Sequence, residues 1–222
     1  MKYMATSTAF QMARPRRSRI STARGMWLSI APPGYSVPVG PGVACVVGDQ
    51  AHWITPLSSM FLHGGWFHLL GNMWFLWVFG NNIEDAMGHA RFVVFYLVCG
   101  LIAATAQVLA DPASAVPMVG ASGAISGVMG AYLVLYPRVR VHTLVFLGFF
   151  ITRWTLPAYV MLLYWAVIQV VGSLPSLAGG EAGGGVAFMA HLGGFAAGVL
   201  LIKLFARPEF VRRHRRQPVL TH

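Results

Sequence analysis

Residues 92–110 read FVVFYLVCGLIAATAQVLA, nineteen positions without a single Asp, Glu, Lys or Arg. A helix of about 20 apolar residues crosses the roughly 30 Å hydrocarbon core of a bilayer. This stretch therefore predicts a membrane-spanning helix. Four further apolar segments predict additional spans, at residues 66–83, 121–136, 154–173 and 186–206.

The composition also indicates a membrane protein. Of the 222 residues 56% are hydrophobic and only 10% are charged, whereas a soluble domain carries about a quarter charged residues. The formal net charge is +10, but the basic residues are concentrated in 1–24 and 203–216. Such basic ends are typical of cytoplasmic flanks rather than of a nucleic-acid-binding face. We predict an all-α, polytopic membrane bundle whose partner is the lipid bilayer and not a nucleic acid.

The arginines that follow the third span set the topology. Arg138 and Arg140 place the end of that span in the cytoplasm. The basic residues after the last span place its end in the cytoplasm as well. A basic N-terminus on the same side requires one more crossing within residues 25–48. That segment contains four prolines, which disfavour a helix. Two alternatives stay open: the N-terminus lies outside, or an ordinary first helix is missing or altered.

The third span is short. Its sixteen residues give a helix of about 24 Å, so its first turn should lie below the membrane surface. The preceding residues 112–120 read as irregular chain, which is tolerated at that depth only when protein or water surrounds it. We therefore predict a water-filled cavity near Ser122. Residues 141–152 are too few to cross and are interpreted as an interfacial or re-entrant segment.

Polar residues near the non-cytoplasmic side form three groups. They are His63, His68 and Asn72 before and within the first span, residues 120–123 (GASG), and His191. Polar groups at membrane depth are costly, which favours a functional role, although each of them alone has an ordinary structural explanation.

Small residues on two predicted helices indicate that these groups meet. Glycines lie on one face of each helix, at Gly123, Gly127 and Gly130 and at Gly194 and Gly198. Such faces permit close helix packing. Close packing of the third and last spans would bring Ser122 to His191.

A serine and a histidine at one depth suggest nucleophilic catalysis. A serine hydroxyl is a weak nucleophile until a nearby base takes its proton, and His191 can serve as that base. The only acid between them, Glu181, lies in a glycine-rich loop, so we predict a dyad rather than a triad. The Ser122 backbone N–H, His68 and Asn72 are candidate donors to an oxyanion.

Other hydrolase classes fit poorly, and no metal or cofactor is predicted. Ala124 replaces the last glycine of the G-x-S-x-G elbow that α/β-hydrolases use. No H-E-x-x-H sequence occurs, so a zinc metalloprotease has no support. The two cysteines, Cys45 and Cys99, are too few for a disulfide framework and lack metal-ligand spacing.

Together these residues resemble the rhomboid family of intramembrane serine proteases. The matching elements are 63–72 (HGGWFHLLGN), 80–84 (GNNIE) with Gly88, 120–123 (GASG), and 190–194 (AHLGG) with Gly198. The resemblance implies that Ser122 is the nucleophile, His191 the general base, His68 and Asn72 oxyanion donors, and His63 a support for the adjacent loop. It assigns structural roles to Glu84, Gly120, Gly123, Gly127, Gly194 and Gly198.

The resemblance also implies a domain layout and a substrate class. Residues 1–50 form a basic, proline-rich segment, 51–206 the rhomboid-like protease domain, and 207–222 a basic cytoplasmic tail. Substrates would be single-span membrane proteins, cut beside a small residue. Residues 154–173 and the glycine-rich loop 174–185 would gate lateral access.

Two features depart from the family pattern. The first of the six family helices is poorly recognisable, which leaves five clear spans. Ser126 stands where some members have an aromatic residue against the histidine, so His191 is held less firmly or by a hydrogen bond.

Two other functions compete with proteolysis. A rhomboid-like protein that binds membrane clients without cutting them is the main alternative, although such relatives usually lack the serine or the histidine. A transporter would predict inverted repeats, which the sequence lacks. We expect a bacterial plasma membrane, although residues 1–24 also resemble a transit peptide. Substrate identity, oligomeric state and source organism are not specified by the sequence.

Overall fold

A computed structural model describes residues 36–40, 43–46, 55–110, 118–147, 150–177 and 186–216. Within these ranges the chain is mostly helical, with two short antiparallel hairpins. The helices are α1 (Thr55–Ser59), α2 (Trp66–Phe75), α3 (Asn81–Met87), α4 (His89–Ala110), α5 (Ser122–Leu135), α6 (Ala158–Leu177), α7 (Phe188–Phe205) and α8 (Pro208–Arg216). The strands are β1 (Ser36–Gly40), β2 (Val43–Val46), β3 (Arg140–Leu147) and β4 (Phe150–Pro157).

The first predicted span is one continuous helical segment. A π-helical turn, Leu76–Gly80, joins α2 to α3, and the segment runs four residues beyond the predicted end, to Met87. Gly88 ends it with a φ of 86°, a conformation that glycine adopts readily because it has no Cβ. The helix α4 then begins at once. The charged residues Glu84, Asp85 and Arg91 therefore flank a junction between two helices and do not lie in a long loop.

The helix α5 lies at the centre of the bundle and packs directly against α7. Its residues from Ala124 to Tyr132 are buried. A Cβ placed on Gly194 would overlap the Gly123 carbonyl, and one on Gly198 would overlap the Gly127 carbonyl. These paired contacts mean that the two helices run in the same direction with their backbones touching. The predicted close approach of the two glycine faces is therefore present.

Many large apolar side chains lie on the outer surface of the bundle. Large hydrophobic side chains on several helices are exposed, including Phe67, Leu109, Tyr164, Leu200 and Leu204. Helices that are apolar on every side suit a lipid environment. By length and composition, His89–Ala110 and Phe188–Phe205 are long and apolar enough to cross a membrane.

The prediction of an all-α chain is wrong for residues 140–157. There β3 and β4 form an antiparallel hairpin whose register runs from Arg140 paired with Pro157 to Leu147 paired with Phe150. This hairpin occupies the segment interpreted as interfacial or re-entrant. The helix predicted as the fourth span therefore begins at Ala158 rather than at residue 154, because residues 154–157 pair with β3 instead of joining the helix.

A second hairpin occupies part of the proposed N-terminal crossing. Within residues 25–48, the described residues 36–40 and 43–46 pair as β1 and β2. This part of the candidate crossing is not helical, as expected for a proline-rich segment that lacks amide donors. Residues 25–35 and the basic residues 1–24 lie outside the described residues, as do 111–117, 178–185 with Glu181, and 217–222.

The end of the bundle opposite Ser122 carries the charged residues. The Arg91 guanidinium donates a hydrogen bond to the Phe205 carbonyl (3.1 Å), and the Arg207 amide donates to the Ala86 carbonyl (2.8 Å). These bonds tie the α3–α4 junction to the end of α7. Arg138 lies exposed after α5, at the same end as the last turns of α5 and α7.

Candidate active site

Ser122 and His191 meet near the starts of two parallel helices. Ser122 is the first residue of α5, and His191 lies in the first turn of α7. His191 Nε2 is 2.8 Å from Ser122 Oγ. Because the glycine contacts hold α5 and α7 together just below this pair, the hydrogen bond follows from the helix packing rather than from a loop.

Gly120 shapes the chain that enters α5. Its φ is 115°, and its amide donates to the Ser59 carbonyl (3.0 Å). A Cβ at this position would lie 2.8 Å from His68 Nε2 and 3.5 Å from Asn72 Nδ2. Glycine at position 120 therefore leaves the space that the His68 and Asn72 side chains occupy.

Two hydrogen-bond donors near Gly120 have no acceptor of their own within the part of the chain that the structure describes. Asn72 is buried, and its Nδ2 has no hydrogen-bond partner among the described residues. Ser122 opens α5, so its backbone N–H is one of the four in a helix that have no intrahelical acceptor. An unpaired buried donor is costly. The Asn72 Nδ2 donor is therefore available to an incoming acceptor.

His63 lies in the loop before α2 and supports His68. The two rings meet edge to face with centroids 5.4 Å apart. His63 Nε2 is buried without a partner among the described residues. Burial, and to a lesser extent the charge of His68, lower the pKa of His63 from its ordinary value. This shift favours the neutral form of the His63 ring.

Gln169 is part of the site, and the sequence analysis missed it. It is buried on α6, and its Oε1 lies 2.8 Å from His191 Nδ1. Trp165, one turn earlier, places its ring 5.8 Å from the imidazole centroid. Of the two alternatives for holding His191, the structure has the hydrogen bond, but Ser126 does not make it. The Ser126 hydroxyl instead donates to the Ser122 carbonyl (2.6 Å).

A signal for Gln169 was present in the sequence. It is an uncharged polar residue inside an apolar span, and the argument that polar groups at membrane depth are costly applies to it as to Ser122. The group beside the histidine need not be an acid, because an amide oxygen can also accept a hydrogen bond from the imidazole.

A cavity of about 330 Å³ opens over the Ser122–His191 pair. Small residues dominate its walls, including Gly100, Ala103 and Ala124. The volume is sufficient for several water molecules. It lies at the predicted place, and its polar floor is formed by Ser122, His191 and His68. Among the described residues no three His, Cys, Asp or Glu side chains cluster as metal ligands would.

Glu84 lies at the other end of the bundle. Its carboxylate bonds His89, and its carbonyl accepts the Gly88 amide at the junction of α3 and α4. It therefore shapes this junction and does not contact Ser122. Gly127, Gly194 and Gly198 likewise belong to the α5–α7 contact.

Comparison with known proteins gives one consistent family. The model of the rhomboid domain matches residues 50–208. RHOMBOID-like protein 5 of Arabidopsis thaliana is 32% identical over 161 residues, which are 69% of this chain and 45% of that protein. The putative rhomboid protease YdcA of Bacillus subtilis is 34% identical over 114 residues, 49% of this chain and 55% of that protein.

A shorter match links the chain to the rhomboid protease GluP of Bacillus subtilis. The two are 38% identical over 84 residues, which are 38% of this chain and 16% of GluP. In each of these three comparisons the match spans about half or less of the relative's length.

Proposed function

This chain belongs to the rhomboid family, and from that premise we propose that it is an intramembrane serine endopeptidase. Ser122 is the nucleophile and His191 the general base. The observation that carries the proposal is the 2.8 Å contact between His191 Nε2 and Ser122 Oγ at the floor of a cavity. Two relatives named as rhomboid proteases, one of them putative, support the same reading.

The reaction follows from the positions of these atoms. His191 Nε2 accepts the Ser122 hydroxyl proton while Oγ attacks the scissile carbonyl carbon of the substrate. The resulting imidazolium then donates that proton to the leaving amine, which releases the first product and leaves an acyl-enzyme. Water from the cavity attacks the acyl-enzyme carbonyl, with His191 again serving as base. The bond between Ser122 Oγ and the acyl carbon then breaks, the imidazolium returns its proton to Oγ, and the second product leaves as a carboxylic acid.

Charge on the tetrahedral intermediate needs fixed donors. The Ser122 backbone N–H and the unpaired Nδ2 of Asn72 are suited to this role, and His68 borders the same space. Donors that are already oriented cost little reorganisation when charge develops. Removing one such donor in serine proteases lowers kcat by about 10²- to 10³-fold.

The substrate and topology are part of the proposal. Five helical segments cross the bilayer: residues 66–87 and the helices α4, α5, α6 and α7. The substrates are single-span membrane proteins whose unwound segment, with a small residue at the cut, reaches Ser122. The family consists of integral membrane proteins, and a bacterial plasma membrane stays a prediction, because relatives from chloroplasts and mitochondria also match.

The decisive experiment uses the purified protein in lipid vesicles with a single-span model substrate. Ser122→Ala should abolish cleavage and also abolish labelling by a serine-directed fluorophosphonate. Ser173→Ala is the matched control, because Ser173 is a buried serine on α6 whose hydroxyl bonds the Val170 carbonyl (2.7 Å). It should cleave and label normally.

Two results would argue against the proposal. Undiminished cleavage by the Ser122→Ala variant would remove Ser122 from the nucleophile role. A wild-type protein that binds single-span proteins but neither cleaves them nor takes up the label would favour the client-binding alternative.

A further inference from the structure

Gln169 lies in the middle of α6 with both ends of its side-chain amide engaged. It is 5% exposed. Its Oε1 is 2.8 Å from His191 Nδ1, and its Nε2 donates to the Trp165 carbonyl (3.3 Å) one turn earlier on the same helix. A neutral, fully bonded amide therefore faces the nitrogen of His191 that is turned away from Ser122.

The second of these bonds fixes which way the amide points. A backbone carbonyl oxygen can only accept a hydrogen bond, so the Gln169 atom that faces Trp165 must be the amide nitrogen. The atom that faces His191 is then the amide oxygen, which can only accept. Consequently His191 Nδ1 must carry a proton to make the observed contact.

A proton on Nδ1 determines the state of the other ring nitrogen. In a neutral imidazole one nitrogen donates and the other accepts, so Nε2 of His191 presents a lone pair to the Ser122 hydroxyl. We propose that Gln169 is a positioning residue that fixes the tautomer and ring orientation of His191 for proton abstraction from Ser122. This inference rests on the proposed protease function and adds a group to its site.

The surroundings of His191 support this role over simple helix-to-helix adhesion. Trp165 lies against the same imidazole, so α6 contacts the ring from two successive turns. On α5, the Ser126 hydroxyl is already engaged with the Ser122 carbonyl. The ring's orientation therefore depends on α6, a helix that supplies neither the nucleophile nor the base.

Loss of the Gln169 oxygen should weaken catalysis without removing it. The ring could then place its proton on either nitrogen and tilt away from Ser122. A buried N–H that loses its acceptor is destabilised, so the tautomer with the proton on Nδ1 would no longer be favoured. We expect Gln169→Leu to lower kcat by about 10- to 100-fold with little change in KM, because the substrate contacts remain.

Two further variants separate positioning from a structural effect. Gln169→Glu keeps an acceptor oxygen and should retain most of the activity. It should also move the acid limb of the pH–activity profile to higher pH, because a carboxylate beside the imidazole favours its protonation. Gln107→Leu is the matched control: Gln107 accepts the Ala190 amide (3.1 Å) beside His191 but does not contact the ring. It should leave kcat within twofold and the pH profile unchanged.

A direct measurement covers the case in which Gln169→Leu does not fold. Nitrogen-15 NMR of histidine-labelled wild-type protein, with the His191 signals assigned by comparison with His191→Ala, reports which ring nitrogen carries the proton. Nδ1 protonation is the expected result. A His191 signal with the proton on Nε2 at neutral pH would overturn the proposal.

The outcomes distinguish this inference from the protease function itself. If wild-type protein neither cleaves nor takes up the fluorophosphonate label, the protease function is wrong, and the NMR result alone decides the tautomer. If the wild type is active but Gln169→Leu keeps its kcat within twofold and its pH profile, the inference is wrong while the protease function stands.

Discussion

Replacing Gly198 with alanine tests whether backbone contact between α5 and α7 holds the bundle together. A Cβ at residue 198 would lie 2.8 Å from the Gly127 Cα and closer still to its carbonyl atoms. Carbon atoms in contact prefer about 3.5–4.0 Å. Since the obstacle is backbone in mid-helix, it cannot rotate away, and the two helices must separate by roughly 1 Å.

The energetic cost can be placed within known limits. Inserting extra methyl groups into a well-packed core costs about 1–3 kcal/mol, and we expect a value near the upper limit because two rigid backbones meet here. Separation should also stretch the 2.8 Å contact between Ser122 and His191, which the same helices carry. Both stability and activity should therefore fall.

Gly71→Ala is the matched control for Gly198→Ala. Gly71 lies on α2, and a Cβ there would meet nothing within 4 Å, so the substitution should leave stability unchanged or raise it by up to about 1 kcal/mol through helix propensity. Unfolding of both variants in mixed detergent and SDS micelles, followed by tryptophan fluorescence, gives the comparison. Equal stabilities for Gly198→Ala and Gly71→Ala would refute this account of the packing.

Two further substitutions test the approach to the site. Gly120→Ala forces a side chain onto a φ of 115° and against His68. The free energy of unfolding should therefore fall by about 1–3 kcal/mol, and cleavage should be abolished. A folded, fully active variant would contradict this. The lowered pKa of His63, caused first by burial and then by His68, means that the unfolded chain binds this proton more readily. The free energy of unfolding should therefore fall as the pH drops below about 6.5. Between pH 5 and 7.5 the unfolding midpoint of His63→Gln should fall less steeply with decreasing pH than that of the wild type. Identical pH dependences of the two midpoints would exclude the effect.

The helices could be predicted from the sequence because their signals are local. Runs without charge give positions for α4, α5 and α7 that agree with the structure to within three residues at each end. Residues 140–157 could not be predicted in this way, since an apolar run has no periodicity that separates a short helix from a strand. The pairing of β3 with β4 is decided by contacts between two segments, and neither segment specifies it alone.

The residues of the site also differ in whether local sequence signals predict their contacts. Ser122 and His191 could be paired because two glycine faces imply one helix contact, and that contact fixes their depth. Gln169 could not be paired from spacing alone, since its partner lies 22 residues away on another helix. Which face of α6 turns inward depends on the tertiary packing.

The identity of the group beside His191 follows from its location in the bundle. A carboxylate in the centre of a membrane helix costs about 2.5–3.5 kcal/mol on insertion scales, whereas an amide with both ends bonded adds no charge. The amide of Gln169 can fix the imidazole tautomer, but it cannot neutralise the imidazolium that forms when Ser122 attacks. The cavity above the pair provides room for the water that hydrolysis of the proposed acyl-enzyme would require.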